Sequence, residues 1–410
     1  MVTSMRSLTL AVFIEHEISI GGNFQQALNN VLVVKNIPID IAHVIFITTV
    51  EKNVEVFRSH GVEVVYLPVS RLARIWLAIR GRLMLGPVWR FIQRIEKDNY
   101  LERVLKGYKV DLVYFTSQSG LSIYLEQINY IYTLFDLCHR DFPEFPEVRS
   151  RGIFERREIY FQKTLARAIA VFVDSELGRK NVIRRYALDE SRVYVMPFSP
   201  ATHSNIGDDE YLAKYIDVRL KYDLDMDYVF YPAQFWPHKN HVYLLDGIKA
   251  LEIKHGIVIG VIFAGSDQDN MPYVKQMAKE KGLFDRIRFA GFVPGHEMPY
   301  LYRQSIALVM PTYFGPTNLP PLEAFRLKVP VLYSDLPGLR EQVADASLLM
   351  DLQDPGSLAD HIVNLVNDDA LRQSLVEKGE ARLSELSGDN PEEILITVLK
   401  RFQACKYCWE

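Results

Sequence analysis

Residues 227–248 read DYVFYPAQFWPHKNHVYLLDGI. The first six form an apolar run rich in aromatic and β-branched residues, which predicts a strand. A loop follows that sets Gln234, His238, Lys239 and His241 among aromatic rings, and VYLLDGI opens a helix. Strand, polar loop, helix is the repeating unit of an α/β sheet. In open α/β sheets, ligands bind just beyond the carboxyl ends of the strands. Lys239 stands at such a place.

The same unit recurs in both directions along the chain. Upstream, strands are predicted at LTLAVFIE, AHVIFITT, VEVVYLP, VDLVYFTS, NYIYTLFD, AVFVDS and RVYVMP. Downstream, DYVFYP is followed by IVIGVIFAG, RIRFAG, IALVMP, PVLYSD and ASLLMD. Most are apolar on consecutive residues, as strands buried on both faces of a parallel sheet are. Segments of helical period, such as GIFERREIYFQKTLARA, stand between them. Residues 199–213, SPATHSNIGDDEYLA, break the series with polar and turn-forming residues and read as a linker leading into a helix. The expected fold class is therefore α/β, with two tandem Rossmann-like doubly wound domains facing a cleft. The expected domains are residues 1–200 and 201–385, with a helix over 386–410 that packs back on the first domain.

Composition narrows the function classes. The chain has 410 residues, 49% hydrophobic and 24% charged, enough apolar material for two cores. A net charge of −4 gives no general attraction to nucleic acid, so none is expected as a partner. Three cysteines, Cys138, Cys405 and Cys408, form no disulfide framework and suit a reducing compartment. The apolar run near the N-terminus is cut by Glu15 and His16, too early for a signal-peptide core. No stretch approaches the ~18–20 apolar residues of a membrane-spanning helix. A cytoplasmic chain is expected, peripheral to the inner face of the membrane. The contact would be residues 71–95, which hold six arginines, no acid and two tryptophans, Trp76 and Trp89. A basic amphipathic stretch of this kind suits an anionic lipid surface.

Beyond IALVMP comes TYFGPTNLPPLEAFRLK. Gly315 and Pro316 break the chain, and Thr317 or Asn318 is placed to cap a helix. Pro320 and Pro321 fall in its first turn, where a missing N–H is tolerated. Free N–H groups at the positive end of a helix dipole make an anion site. Glu323, one turn in, can accept hydrogen bonds from paired sugar hydroxyls, as an acid does for ribose in dinucleotide-binding folds. On the 231–241 loop, Lys239 is a compact charge suited to a diphosphate, and Gln234 can donate an amide hydrogen bond to the same group. His238 and His241 lack a third ligand nearby and read as loop histidines that hydrogen-bond rather than bind metal. Near the N-terminus, Gly21 and Gly22 permit close backbone approach to a ligand. That pattern is not GxGxxG, so a nicotinamide site is poorly supported.

Residues 227–365 resemble the nucleotide-binding domain of GT-B glycosyltransferases, specifically the retaining glycosyltransferase family 4. The stretches that carry the likeness are VFYPAQFWPHKNH, VIFAGSD, RIRFAGFVPGHEMPYLYRQSIALVMPT, NLPPLEAF and PVLYSDLPGLREQVADASLLMDLQDP. The first half is similar more weakly, through GGNFQQAL and VFVDSELGRKNVIRRYALDESRVYVMPFSP. The resemblance implies an N-terminal acceptor domain and a C-terminal nucleotide-sugar domain. It implies a donor diphosphate held by an Arg and a Lys five apart: Lys239 matches the lysine, and Gln234 replaces the arginine. Of two glutamates with seven residues between them, Glu323 matches the second, which holds the ribose, and Gly315 stands at the first. Thr317, Asn318 and Leu319 are the expected substitutes for the missing sugar contact, with backbone near Phe292–Val293 holding the base and Gly22 at the donor. The sugar-side residues of the family fall on Asp136 and His139, where Phe135 replaces the usual histidine. Asp267-Gln-Asp269 has the look of a metal-binding DxD pair, but that device belongs to the other main glycosyltransferase fold, and no metal cofactor is expected.

The activity this implies is transfer of a hexose, of mannose or glucose type, from a nucleotide-diphosphate sugar to a saccharide or lipid-linked acceptor in surface polysaccharide synthesis. Lys239, Asp136 and His139 would be its catalytic residues. The alternative is a non-catalytic nucleotide-sugar-binding subunit of a polysaccharide assembly complex, favoured by the departures at Gln234 and Gly315. A nucleotide-sugar epimerase of the same fold is a third reading.

Overall fold

The computed structural model describes residues 6–15, 22–70, 98–315, 317–388 and 390–409, together with Leu72, Ile75 and Ile79. It divides into two compact units. One comprises Met1–Leu137, Glu155–Pro197 and Asp389–Glu410; the other comprises Cys138–Phe154 and Phe198–Gly388.

In the first unit, seven parallel strands are β1 (Leu8–Ile14), β2 (Ala42–Thr48), β3 (Val64–Tyr66), β4 (Leu112–Phe115), β5 (Asn129–Leu134), β6 (Ala170–Val173) and β7 (Val193–Val195). Their order is β3-β2-β1-β4-β5-β6-β7. Successive residues of β1 enter opposite layers. Leu8, Leu10, Val12 and Ile14 pack on one face, Ala11 and Phe13 on the other. Both faces are buried, which is why the run is apolar at every position but Thr9. The helix Pro391–Lys406 closes one face, where Leu395, Val398, Leu399 and Phe402 join Leu28, Val31 and Val34 of the helix Gly22–Lys35. Lys406 also pairs with Asp111 at 2.7 Å, and Gln403 donates to the Arg6 carbonyl.

In the second unit, six parallel strands are β8 (Tyr228–Pro232), β9 (Gly260–Ala264), β10 (Ile287–Gly291), β11 (Leu308–Met310), β12 (Val331–Ser334) and β13 (Leu348–Met350). Their order, β10-β9-β8-β11-β12-β13, reverses direction between β8 and β11. Loops leaving neighbouring strands on either side of such a reversal part from each other, and the crevice between them is where this architecture binds ligands. The segment that decides the fold, residues 227–248, supplies β8, its loop and the helix His241–His255.

The main departure from the expected 1–200 and 201–385 is that residues 138–154 leave the first unit and belong to the second, which otherwise runs from Phe198 to Gly388. Their aromatic side chains explain it. Phe142 stacks on Phe314 at 5.7 Å, and Phe145 lies 5.3 Å from Tyr313 and 5.6 Å from Phe314. The expected linker, 199–213, is also built into the second unit. Ala201 and Ser204 are buried, and the Ser204 hydroxyl donates to the Ala201 carbonyl at 2.6 Å.

Candidate active site at the strand reversal of the second unit

The loop after β8 and the loop after β11 flank the reversal and are stitched together. Lys239 Nζ donates to Asn318 Oδ1 at 3.0 Å. The Tyr313 N–H donates to the His238 carbonyl at 2.9 Å. From below, the buried Tyr231 hydroxyl donates to the Lys239 carbonyl at 2.8 Å. Burial drives the Tyr231 pKa far up, so this hydroxyl stays a donor. Gln234 is half-buried, and its Oε1 accepts from Trp236 Nε1 at 3.0 Å and Gln268 Nε2 at 3.4 Å. With the carbonyl end occupied, the amide NH2 is the end that can donate to a ligand. The loop sits low because Gly265, after β9, lacks a Cβ. A Cβ there would lie 2.2 Å from the Ala233 carbonyl oxygen, and its φ is +155°.

Asn318 is the hub of the second loop. It occupies the position before the helix Leu319–Arg326, but its side chain makes no capping bond. Its Nδ2 donates instead to the Tyr333 hydroxyl at 2.6 Å and the Gly315 carbonyl at 3.1 Å. Gln342 clamps its backbone, accepting from the Asn318 N–H at 3.0 Å and donating to its carbonyl at 2.6 Å. This corrects two expectations: Asn318 does not cap the helix, and its N–H does not point out to an anion. Pro320 and Pro321 have no N–H, so Leu319 supplies the one remaining backbone donor of the first turn. Thr317 is half-buried beside it, and Gly315 has φ +109°, a conformation that a glutamate would adopt only under strain. Tyr333 and Gln342 carried no sequence signal. They are ordinary strand and helix residues until the fold brings them to Asn318.

Glu323 is 5% exposed. Its Oε2 accepts from the Tyr302 hydroxyl at 2.6 Å, and its Oε1 lies 3.7 Å from His203 Nε2. Burial, then the adjacent carboxylate, push the Tyr302 pKa far up, which keeps that hydroxyl a donor. The pair fixes one carboxylate oxygen and aims the other towards the segment that had read as a linker.

The segment 138–154 lies against the first loop. Glu147 Oε1 accepts from the backbone N–H of His238 at 3.0 Å and lies 2.6 Å from its ring Nδ1. The ring stacks on Phe314 with centroids 3.7 Å apart and planes 15° from parallel. Burial would raise the Glu147 pKa, but the hydrogen bonds from His238 outweigh it and hold the carboxyl below its usual range.

The remaining expected site residues are more scattered. Gly22 is the first residue of the helix Gly22–Lys35 in the first unit. Asp136, also in the first unit, pairs with Arg157 at 2.5 Å. His139, in the second unit, is fully buried with its ring edge on Phe154. Phe292 follows β10 and is 70% exposed. His241 is not a loop residue but the first residue of its helix. It is buried between Phe235, stacked at 4.3 Å, and Tyr231, and burial pushes its pKa down to about 3. Asp267 Oδ1 accepts from the N–H groups of Asn270 and Met271, bracing the turn into the helix Met271–Glu280. No group of three or more metal-ligating side chains occurs among the described residues. The basic stretch 71–95 lies outside the described residues except Leu72, Ile75 and Ile79, which are exposed. No helix among the described residues is long and apolar enough to cross a membrane.

Residues 216–382 match the family described as Glycosyl transferases group 1, and all of the loops around the strand reversal fall inside that range. The O-antigen chain mannosyltransferase B of Escherichia coli is 26% identical over 250 residues, 60% of this chain and 64% of that protein. The O-antigen chain mannosyltransferase RfbU of Salmonella typhimurium is 28% identical over 130 residues, 32% of this chain and 36% of that one. The chain thus spans less than two thirds of the length of these curated relatives. Among solved structures, Anabaena HepE in complex with UDP-glucose superposes with a TM-score of 0.68 at 15% identity, covering 98% of this chain and 100% of that one. A glycosyltransferase from Rickettsia africae superposes with a TM-score of 0.68 at 13% identity, covering 97% and 98%. The two-domain α/β architecture of these GT-B glycosyltransferase structures is the fold of this chain.

Proposed function

We propose that this chain, whose residues 216–382 match the glycosyl transferases group 1 family, is a retaining glycosyltransferase. It would move a hexose from a nucleotide-diphosphate sugar to the hydroxyl of a saccharide or lipid-linked acceptor in surface polysaccharide synthesis. The carrying observation is the Lys239–Asn318 bond across the strand reversal, which holds an ammonium group where this architecture binds ligands.

In this reading Lys239, the Gln234 amide and the Leu319 N–H bind the diphosphate. Their positive charge and dipoles are already in place when charge develops on the departing group. Glu323, oriented by Tyr302, accepts hydrogen bonds from the ribose hydroxyls, and Phe292 stacks on the base. Asp136 and His139 serve the sugar. The bond from the anomeric carbon to the diphosphate oxygen breaks, and the acceptor oxygen bonds to that carbon from the same face. The acceptor's proton passes to the departing phosphate. No metal is assigned a part. The O-antigen mannosyltransferases among the relatives support a mannose-type donor, and the HepE complex supports a nucleotide-diphosphate sugar as its class. The exposure of Leu72, Ile75 and Ile79, which are interspersed in sequence among the arginines of 71–95, supports contact with an anionic membrane surface.

Incubation with UDP-, GDP- and dTDP-sugars, with and without saccharide acceptors, tests the proposal. Nucleoside diphosphate release that requires acceptor, with an α-linked product from an α-linked donor, is expected. Binding of a sugar nucleotide without turnover across a broad acceptor panel would favour the non-catalytic subunit instead.

A further inference from the structure

Glu147 is an expensive residue for its place. Its side chain is 7% exposed, and a buried carboxylate carries a desolvation penalty unless hydrogen bonds offset it. Only one of its oxygens is engaged, and Oε2 has no hydrogen-bond partner among the described residues. Phe142 and Phe145 already give the segment 138–154 an apolar seat on Phe314 and Tyr313. An apolar residue at 147 would serve that packing at least as well, so packing does not account for the carboxylate.

What the carboxylate does is grip one residue twice. Oε1 takes both the backbone N–H and the ring Nδ1 of His238. The carbonyl of the same residue accepts from Tyr313 N–H, and its ring lies flat on Phe314. His238 is therefore held on its N–H, its carbonyl and both aspects of its ring, and the next residue is Lys239. With φ and ψ of His238 fixed, the Lys239 side chain leaves the loop in one direction, and its Nζ meets Asn318. An ammonium on a four-carbon stem keeps a defined position only when its backbone is held.

We infer that Glu147 is a positioning residue for the donor loop: through its double bond to His238 it sets Lys239 for the diphosphate. The inference rests on the reading of Lys239 as a diphosphate ligand. It assigns a task to a segment that enters the second unit directly after β5 of the first, far from the loop in sequence. The Nδ1 contact also selects the ring tautomer, placing a proton on Nδ1 facing the carboxylate.

The test combines binding and spectroscopy on the full chain, with UDP and GDP as probes. Calorimetry on wild type, Lys239→Ala, Glu147→Ala and Glu147→Gln is paired with 15N–1H correlation spectra of the histidine rings, the His238 signal being the one absent from His238→Asn. Wild type should show His238 protonated on Nδ1. Glu147→Ala should lose that signature and weaken diphosphate binding about fivefold to thirtyfold, chiefly through KM in turnover assays. Glu147→Gln, which keeps the acceptor oxygen, should fall between and remains informative should the alanine variant not fold. Weakened binding in Lys239→Ala with wild-type affinity in both Glu147 variants would overturn the inference and leave the diphosphate reading intact. No effect of Lys239→Ala, or no binding of either probe by wild type, would overturn the diphosphate reading and the inference with it.

Discussion

Lys239 and Asn318 are 79 residues apart in sequence, yet Lys239 Nζ donates to Asn318 Oδ1 at 3.0 Å. The bond joins the loop of β8 to the loop of β11 where the sheet reverses direction. Asn318 is itself fixed by Tyr333 and Gln342, so the ammonium is presented by a rigid hub.

Replacing Lys239 by Ala should therefore weaken UDP or GDP binding tenfold to a hundredfold, the ~1.4–2.8 kcal/mol of a lost charge-assisted contact. Asn318→Ala should give a smaller loss, because the lysine stays but is no longer held. Calorimetric titration distinguishes the two; equal losses would mean that Asn318 touches the ligand itself.

Glu323→Gln keeps the shape of the side chain but removes its charge beside Tyr302 and His203. The thermal shift produced by nucleoside diphosphate should shrink to near zero while the fold persists. Glu323→Ala should in addition destabilise the free protein by about 1–3 kcal/mol, since the buried Tyr302 hydroxyl is left without its acceptor. Urea unfolding measures the second effect without ligand.

Gly265→Ala should be among the most damaging single-methyl changes in the chain. Its Cβ would lie 2.2 Å from the Ala233 carbonyl oxygen at a φ of +155°. Relief requires moving the start of the Gln234–Lys239 loop, so a loss of about 2–4 kcal/mol should accompany weaker diphosphate binding. A variant with wild-type midpoint and wild-type affinity would show that the loop does not depend on this close approach.

His241 gives the second unit an acid sensitivity. Burial lowers its folded pKa to about 3, below the ordinary value of 6.5. Between those values the unfolded chain binds a proton that the folded one refuses. Stability from this group is complete above pH 6.5 and falls, by up to ~1.4 kcal/mol per pH unit, as pH drops towards 3. His241→Phe, which keeps an aromatic ring against Phe235, should flatten the urea midpoint between pH 6.5 and 4 relative to wild type. Parallel slopes for the two proteins would assign the acid sensitivity elsewhere.

Charge reversal at Arg80 and Arg82 should abolish co-sedimentation with anionic vesicles and leave nucleotide binding unchanged. High salt should have the same effect on wild type. Persistent binding of the reversed variant would remove the 71–95 stretch as the contact.

Much of this was legible in sequence because of where the strands lie. A strand buried on both faces has no polar alternation, so runs such as LTLAVFI and VFYP declare themselves, and all thirteen strands among the described residues coincide with predicted runs. The loops of the candidate site drew attention through unusual residues beyond strand ends, Lys239 above all, with Glu323 in the helix that follows. What escaped was decided by distant partners. Asn318 reads as a cap, but Tyr333, the Gly315 carbonyl and Lys239 together outbid the helix N-terminus for its side chain. Residues 199–213 read as a linker because they are polar, although the hydroxyl of Ser204 satisfies itself locally and can therefore be buried. The segment 138–154 reads as part of the first domain, since nothing local reveals that Glu147 will meet His238, 91 residues later.

The helix Pro391–Lys406 lends four buried side chains to the core of the unit that begins the chain. A nascent polypeptide emerging from the ribosome can thus finish the later-encoded sheet while the earlier one still lacks a wall. Closure of the first sheet thus depends on residues encoded beyond the whole of the second unit.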